Sequence, residues 1–280
     1  MKKAPFAALL LIACLNACVK DPSHPPSGSK GWLIGKVTEL GFRETYSHDG
    51  ILIGDNFRKI VHELEYNAVN KPILRKTYES PENDTSNLVR MYIDSLSYDA
   101  ENRLTDIRRH TVGDYVVYGR RYIYDGIDTL PSVQIVYDSA GNNLIFTDTV
   151  QIRYYADKVV FYDRDDVFDG EIDSTTFYYP GGNLTTSVFN NNPPIPEGTD
   201  YDNAHNVERY FNVQHGLAFF VRGNYRNLAR LSLNNWRESG ISGYRRTLTY
   251  DERGLVTVVN AHSIGEKIFW ISRFEYIARK

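Results

Sequence analysis

The chain has 280 residues, among them 21 Tyr, 13 Phe and 3 Trp; 42% are hydrophobic, 24% are charged, and the formal net charge is −3. An aromatic content of 13% argues against disorder and for strands, and the composition excludes a collagenous or polytopic membrane chain. No run of Lys or Arg gathers positive charge onto one stretch, so the electrostatic footprint of a nucleic-acid binder is missing.

The first predicted element is an export signal, residues 1–17. Lys2 and Lys3 precede an apolar run over residues 4–15 that falls short of the ~20 residues needed to cross a bilayer. Both cysteines lie in or at the end of this segment. Leu15-Asn16-Ala17-Cys18 resembles a lipobox, the bacterial signal whose cysteine is diacylated and becomes the new N-terminus; Leu11-Ile12-Ala13-Cys14 also fits the pattern. Cys18 is preferred, because the apolar run continues through Leu15 and the chain turns polar at Lys20. No cysteine follows Cys18, so the exported domain is expected to hold together by packing without disulfides. Val19 stands where Asp would imply retention at the inner membrane, so the lipobox implies an outer-membrane anchor, with the body facing the periplasm or the surface. The cleaved chain remains net acidic, so the lipid supplies the attachment. Residues 18–30, rich in Pro, Ser and Gly, read as a solvated tether. Residues 31–280 read as one domain.

Within that domain one phrase recurs: a strand-like run ending in Tyr, then Asp or Asn, two or three polar residues, Gly or Asn, and a second strand-like run. Copies start at Tyr66, Tyr98, Tyr137, Tyr179, Tyr201 and Tyr250, with Asn70, Asn102, Gly141, Asn183, His205 and Gly254 four residues on. The spacing suits a hairpin closed by a type I turn: the Asp or Asn side chain caps the turn, and the last position takes positive φ, which Gly and then Asn tolerate best. Tyr at the end of the incoming strand is placed to lie over the outgoing one and pin the register. Additional hairpins are expected over residues 114–125 and 151–162, the second turning at Ala156-Asp157-Lys158. Residues 224–236 are expected to form a short helix or an irregular stretch. The Pro-rich segment over residues 190–198 breaks the meander; simple loop length accounts for it more economically than a seam between sheet halves or a partner-contacting excursion. Turn signals every 8 to 12 residues or so predict about 15 to 20 sequential antiparallel strands. The fold expected is all-β: a long antiparallel meander forming a large curved sheet or open barrel.

Tyr98-Asp99-Ala100-Glu101-Asn102-Arg103-Leu104 and Tyr250-Asp251-Glu252-Arg253-Gly254 resemble the Tyr-Asp repeats of Rhs-type proteins, whose strands wrap into a large β shell. The whole layout, a lipobox followed by degenerate Tyr-Asp hairpins with Asn234-Asn235 before the last full copy, is similar to Bacteroidetes lipoproteins that carry a domain of unknown function. The resemblance implies fold and compartment. It carries no catalytic residues across, because those repeats are architectural.

For ligands, the densest acidic patch runs from Asp163 to Asp173. Asp165, Asp169 and Asp173, with Gly170 for a sharp turn, are candidate calcium ligands. It is not an EF-hand, since Val167 and Thr176 stand at the third and twelfth positions, and an exposed hairpin loop is the more economical reading. Trp32, Trp236 and Trp270 are candidates for a sugar-stacking platform, of which Trp236, in the irregular stretch, is the least core-like; rings filling the sheet faces is the plainer account. The seven histidines lack the paired spacing of a zinc site, and no nucleophile-elbow or phosphate-loop motif occurs. The expectation is a non-enzymatic, lipid-anchored binding or scaffolding domain without a required cofactor. Its partners are the membrane and, beyond it, a glycan or an outer-membrane protein; a glycan-binding or glycan-processing surface protein is the alternative.

Overall fold

The computed structural model describes residues 31–46, 52–113, 116–126, 130–140, 143–164, 172–190, 192–205, 234–239, 245–262 and 268–279. Among these the chain forms seventeen strands of one sheet and a short 3₁₀ turn, Pro180–Gly182. In order they are β1 (Trp32–Tyr46), β2 (Leu52–Tyr66), β3 (Pro72–Glu79), β4 (Val89–Tyr98), β5 (Leu104–Thr111), β6 (Val116–Ile123), β7 (Val133–Ala140), β8 (Asn143–Tyr154) and β9 (Lys158–Arg164). They continue as β10 (Ile172–Tyr178), β11 (Thr186–Phe189), β12 (Ile195–Pro196), β13 (Gly198–His205), β14 (Asn234–Ser239), β15 (Arg245–Tyr250), β16 (Val256–His262) and β17 (Ile268–Ala278).

Every pairing is antiparallel and joins strands consecutive in the chain, except that β1 pairs with both β2 and β17. Among the described residues no ladder joins β12 to β13, so the sheet is open. Its ladder runs from β13 through β17 to β1 and on to β12. The two end strands are therefore neighbours in sequence, linked through Glu197. The seam falls in the Pro-rich segment because Pro196 has no N–H to give a ladder, so a seam, and not simple loop length, is what that segment marks.

Three Tyr-Asp copies fold into the same turn. In each, the residue after Tyr (Asn67, Asp99 or Asp251) accepts at its carbonyl from the residue three on, and its own N–H donates to the carbonyl four on. Its side chain accepts from the returning backbone: Asn67 from Lys71 N at 2.8 Å, Asp99 from Arg103 N at 2.8 Å, Asp251 from Leu255 N at 3.0 Å. Asn70, Asn102 and Gly254 take positive φ of 60°, 59° and 75°, as such a turn requires.

Each turn is followed by a bulge, since the register slips where Tyr66, Tyr98 and Tyr250 meet Pro72, Leu104 and Val256. An extra residue shifts the phase of the alternation. Hence β3 and β16 both bury their first, fourth and sixth residues, and β5 its first and fourth.

The tyrosines do not pin their own outgoing strands as expected. Their hydroxyls donate instead to a carbonyl on an earlier strand or hairpin: Tyr66 to Ile34 at 2.6 Å, Tyr98 to Pro72 at 2.7 Å, Tyr124 to Leu104 at 2.7 Å, Tyr154 to Pro131 at 3.1 Å, Tyr276 to Val256 at 2.7 Å, and Tyr201 to Leu184. Pro72, Leu104 and Val256 precede the bulges, so each hydroxyl gives a carbonyl beside an interrupted ladder a partner. Burial raises the pKa of Tyr98, Tyr124 and Tyr154, which keeps them donors. Apolar clusters fill the same face near these turns: Leu33, Ile34, Val37 and Phe274 with Leu64, Val256 and Val259; Leu96, Leu104 and Ile107 with Tyr122; and Val150, Ile152, Phe161, Phe177 and Leu184.

Other expectations are corrected. Residues 116–123 form a single strand and not a hairpin, because Gly119 sits inside two continuous ladders, opposite Arg108 and Tyr137. Tyr137 lies within β7, which runs on to pair Ala140 with Asn143, so Tyr137 does not end its strand; Gly141 lies outside the described residues. After Tyr179 the positive φ falls on Gly181 and Gly182, while Asn183 is extended at −108°. Tyr201 and His205 lie within β13 and mark no reversal: β13 pairs with β14, the Tyr201 hydroxyl donates to Leu184 ahead of β11, and the Asp202 carboxylate accepts from Asn235 on β14. Of the expected helical or irregular stretch, residues 224–233 lie outside the described residues, and residues 234–236 open β14, held by pairing with β13. The turn at Ala156-Asp157-Lys158 is present, closed by Tyr155 N to Lys158 O at 2.9 Å.

Candidate functional site

The bulges carry a charged layer onto the buried face of β3–β6. Because the slip after Pro72 and Leu104 turns the fourth residue inward, Arg75 and Ile107 face in, followed by Thr77 and Arg109. Asp94 on β4 stands between Arg75 and Arg109 in register. Asp94 is 1% exposed. Its Oδ2 accepts from Arg75 Nε at 2.7 Å and from Arg75 Nη2, and its Oδ1 from Arg109 Nε at 2.8 Å. Arg109 also lies 4.9 Å from the Tyr92 ring centroid, and Arg120 lies 4.9 Å from that of Tyr118. Arg120 Nε, both amide atoms of Gln134 and Asp148 Oδ1 are buried without a partner among the described residues.

Burial works to raise the Asp94 carboxyl, but the Arg75 and Arg109 guanidiniums outweigh it and hold the group below the usual carboxylate range. Burial lowers Arg75, with Asp94 opposing it; Arg120 is lowered by burial and by its cationic neighbours. From the very high starting value of a guanidinium such a lowering leaves both cationic. The layer is a set of fixed charges that clamps three neighbouring strands together.

On the opposite face the same strands carry a polar trough of about 780 Å³. Small side chains, Ser95, Ser97 and Thr105, form its floor, and Gly119 opposite Arg108 adds no side chain. Thr105 is the bulged residue after Leu104, which brings its hydroxyl to this face, donating to Ser97 O at 3.2 Å. Arg108, His110 and Arg121 stand around the floor. Asp106 accepts from Arg108 Nε at 2.9 Å and lies 3.6 Å from Arg121 Nε.

The residues singled out from sequence are scattered. Cys18, Asp165 and Asp169 lie outside the described residues. Asp173 is on β10, where it accepts from Asn190 Nδ2 at 2.8 Å and ties the start of β10 to the end of β11. Trp236 is on β14, its backbone opposite Tyr201. Trp32 and Trp270 do not meet: Trp32 has Arg253 4.0 Å from its ring centroid near the Tyr-Asp turns, whereas Trp270 lies opposite Gly41, nine residues along β1 or roughly 30 Å away. Trp270 covers the backbone of Gly41, where a Cβ would come within 2.5 Å of its ring. Those two rings pack against strands and build no common platform. Asn235 of the Asn-Asn pair ties β14 to its neighbours β13 and β15, its N–H donating to Asp202 Oδ1 at 3.1 Å and its amide reaching Tyr250 Oη at 3.4 Å. His62 bonds Thr77 at 3.0 Å and His262 bonds Thr247 at 3.1 Å. Among the described residues no group of three or more His, Cys, Asp or Glu is placed to hold a metal ion.

Neither the charged layer nor the trough was singled out in the sequence. A usable signal exists for the first. Counting from the turn tyrosine, the sixth, ninth and eleventh residues face inward, and in the copies at Tyr66 and Tyr98 this count lands on Arg75 and Arg109.

No family model and no curated protein matches the chain. Among solved structures it is similar to a porin-like protein from Bacteroides uniformis ATCC 8492, at 13% identity and a TM-score of 0.40 over 92% of this chain and 100% of that one. It is also similar to a porin-like protein from Bacteroides vulgatus ATCC 8482, at 14% identity and a TM-score of 0.35 over 87% and 98% of the two chains. A third likeness is to a chain of a TcdB2-TccC3-Cdc42 structure, at 14% identity and a TM-score of 0.27 over 81% of this chain and 13% of that one. Scores this low carry no functional argument.

Proposed function

We propose that the protein is a non-catalytic binding or scaffolding domain, exported and held by a diacylated Cys18 at the bacterial outer membrane. The observation that supports a binding role is the trough on β4–β6, an open polar depression backed on the other side of the same strands by the Arg75–Asp94–Arg109 clamp. A recognition surface works best when its side chains are fixed before the ligand arrives, and a buried ion network is a means of fixing them. The anchor rests on the lipobox-like Leu15-Asn16-Ala17-Cys18 behind a short apolar run. Glycan binding or processing is the second reading, favoured by the mixture of hydroxyls and guanidiniums around the trough.

Palmitate labelling of growing cells, followed by separation of inner and outer membranes, tests the anchor. The expected result is label on the chain in the outer-membrane fraction and none on Cys18→Ala; an unlabelled chain free in the periplasm overturns it. Incubation with glycan fragments and mass analysis of what is recovered tests the binding role. Unchanged fragments are expected, and shortened ones give the answer to glycan processing.

A further inference from the structure

We infer that the trough on β4–β6 is a binding site for an acidic oligosaccharide, a ligand that presents carboxylate or sulfate groups on a hydroxyl-rich ring. This rests on the binding role proposed above and gives that role a ligand class.

The inference starts from how the two arginines are held. Arg108 and Arg121 are each about half exposed, at 53% and 52% for their side chains, while Asp106 between them is 18% exposed. Asp106 takes the Nε side of Arg108 at 2.9 Å and faces the Nε side of Arg121 at 3.6 Å. The Nη nitrogens of both arginines have no hydrogen-bond partner among the described residues. A guanidinium anchored through Nε still presents N–H groups with the spacing of a carboxylate or sulfate edge. Arg121 is further steadied by the Tyr137 ring, 5.8 Å from its central carbon. Two guanidiniums share one carboxylate here, so the charge is uncompensated, and it is so where solvent and ligands reach it.

The floor supplies the rest. Ser95 and Thr105 spend their hydroxyl protons on the carbonyls of Arg108 and Ser97, at 3.3 and 3.2 Å. Their oxygens keep lone pairs for hydroxyls of a ligand. His110 lies two residues beyond Arg108 on the same strand face, roughly 7 Å away, and adds a further hydrogen-bonding group along the strand. Anion-binding groups at the rim with hydroxyl acceptors along the floor match a sugar chain carrying acid groups. A bare inorganic anion would use only the arginines, and a neutral sugar only the floor.

The test is calorimetric titration of the full lipidated protein, in neutral detergent, with trigalacturonic acid and with the neutral trisaccharide maltotriose. Binding of the acidic trimer is expected, with no measurable binding of maltotriose. Arg108→Gln and Arg121→Gln are each expected to weaken it about tenfold, the scale of one charge-assisted contact, with thermal midpoints unchanged as a check on folding. Asp106→Asn separates a built site from general attraction. It raises the local positive charge but frees both guanidiniums to swing, so binding weakens if Asp106 positions them and tightens if charge alone matters. Tightening, equal binding of maltotriose, or no binding of the acid each overturns the inference. Binding to phosphatidylglycerol vesicles in preference to the acidic trimer, lost in the same arginine variants, likewise overturns it and assigns the trough to a membrane surface. A failed titration with palmitate label intact removes the ligand and leaves the anchored domain; a missing label with a successful titration does the reverse.

Discussion

Replacing Asp94 by Asn keeps the shape of the side chain and removes its charge. Arg75 is 7% exposed and Asp94 1%, so the variant leaves the Arg75 guanidinium buried beside Arg109 and Arg120 without its direct counter-charge. Removing one partner of a buried ion pair costs about 3–5 kcal/mol. At roughly 2–4 °C per kcal/mol for a chain of this size, the thermal midpoint is expected to fall by roughly 6–20 °C. The assay is urea unfolding of parent and variant in the same neutral detergent, with the thermal melt as a second reading. A companion variant replaces Arg75, Asp94 and Arg109 together by Met, Leu and Met. Taking the whole network out removes its desolvation cost as well as its attraction, so this variant is expected to match the parent or exceed it by about 1–4 kcal/mol. An Asp94→Asn protein within about 1 kcal/mol of the parent, well short of the lower bound for a broken buried pair, refutes the view that the carboxylate compensates two guanidiniums.

Gly254 has a φ of 75° with open space where a Cβ would stand, so Gly254→Ala is expected to cost about 1–2 kcal/mol of backbone strain alone, while Asn102→Gly at φ 59° leaves stability unchanged or slightly raised; paired denaturation curves decide. Tyr98→Phe removes the hydroxyl that serves the Pro72 carbonyl and is expected to cost about 0.5–1.5 kcal/mol, read in the same way. Burial raises the Glu197 carboxyl, with the Ser187 hydrogen bond opposing it. A raised carboxyl pKa is a penalty above the folded value that is relieved as pH falls through it, so Glu197→Gln is expected to be more stable than the parent at pH 8 and equal to it near pH 4; a difference constant with pH refutes this. Asp94, Asp99 and Asp251 are lowered, so their contribution is present above the usual carboxylate range and lost as pH falls through their folded values, which predicts acid unfolding of parent and Glu197→Gln alike in melts below pH 4.

The turns were legible because they are decided within five residues. Asp99 caps its own turn and Asn102 takes the left-handed position whatever the rest of the chain does, and the same holds at Asp251 and Gly254. Tyr201-Asp202 shows the limit of that reasoning. The dipeptide is the same, but a ladder to β14 and the contacts to Leu184 and Asn235 hold it extended, and these come from residues 17 and 33 positions away. The hairpin expected over residues 114–125 erred in the opposite direction: alternating aromatic and apolar residues around Gly119 suit a reversal until two flanking ladders are known to pass through that glycine. The charged layer was hidden by the bulge. Simple alternation from Leu104 puts Asp106 and Arg108 inward, whereas the extra residue sends them to the trough face and brings Ile107 and Arg109 to the core. The lipobox expectation at Cys18 is of another kind, since it concerns a signal for processing machinery and not the fold.

The seam brings these strands of reasoning together. A sheet this long exposes edges that invite pairing with other chains, and here both end strands fall within one continuous segment, Ile195 to His205, so neither edge is a free terminus. Among the described residues backbone pairing is sparse near it: β11 and β12 share two residue pairs, β13 and β14 share four with register slips, and β14 and β15 share one. One side-chain contact spans the missing ladder, the Tyr201 hydroxyl of β13 donating to the Leu184 carbonyl ahead of β11. Beside it, Ser187 donates to Glu197 at 2.6 Å, and Asp202 is held within β13–β15 by Asn235 and by the Tyr250 hydroxyl. Side-chain contacts of this kind depend on protonation in a way that ladders do not, as the raised Glu197 carboxyl illustrates. The β3–β6 region is built on the opposite plan, with bulged ladders of six, seven and five residue pairs and a buried ion network whose charges hold across the neutral range. An open meander joined in this way sets a β3–β6 region held by paired buried charges apart from an end region where the Glu197 carboxyl makes cohesion vary with pH, and the trough lies on the former.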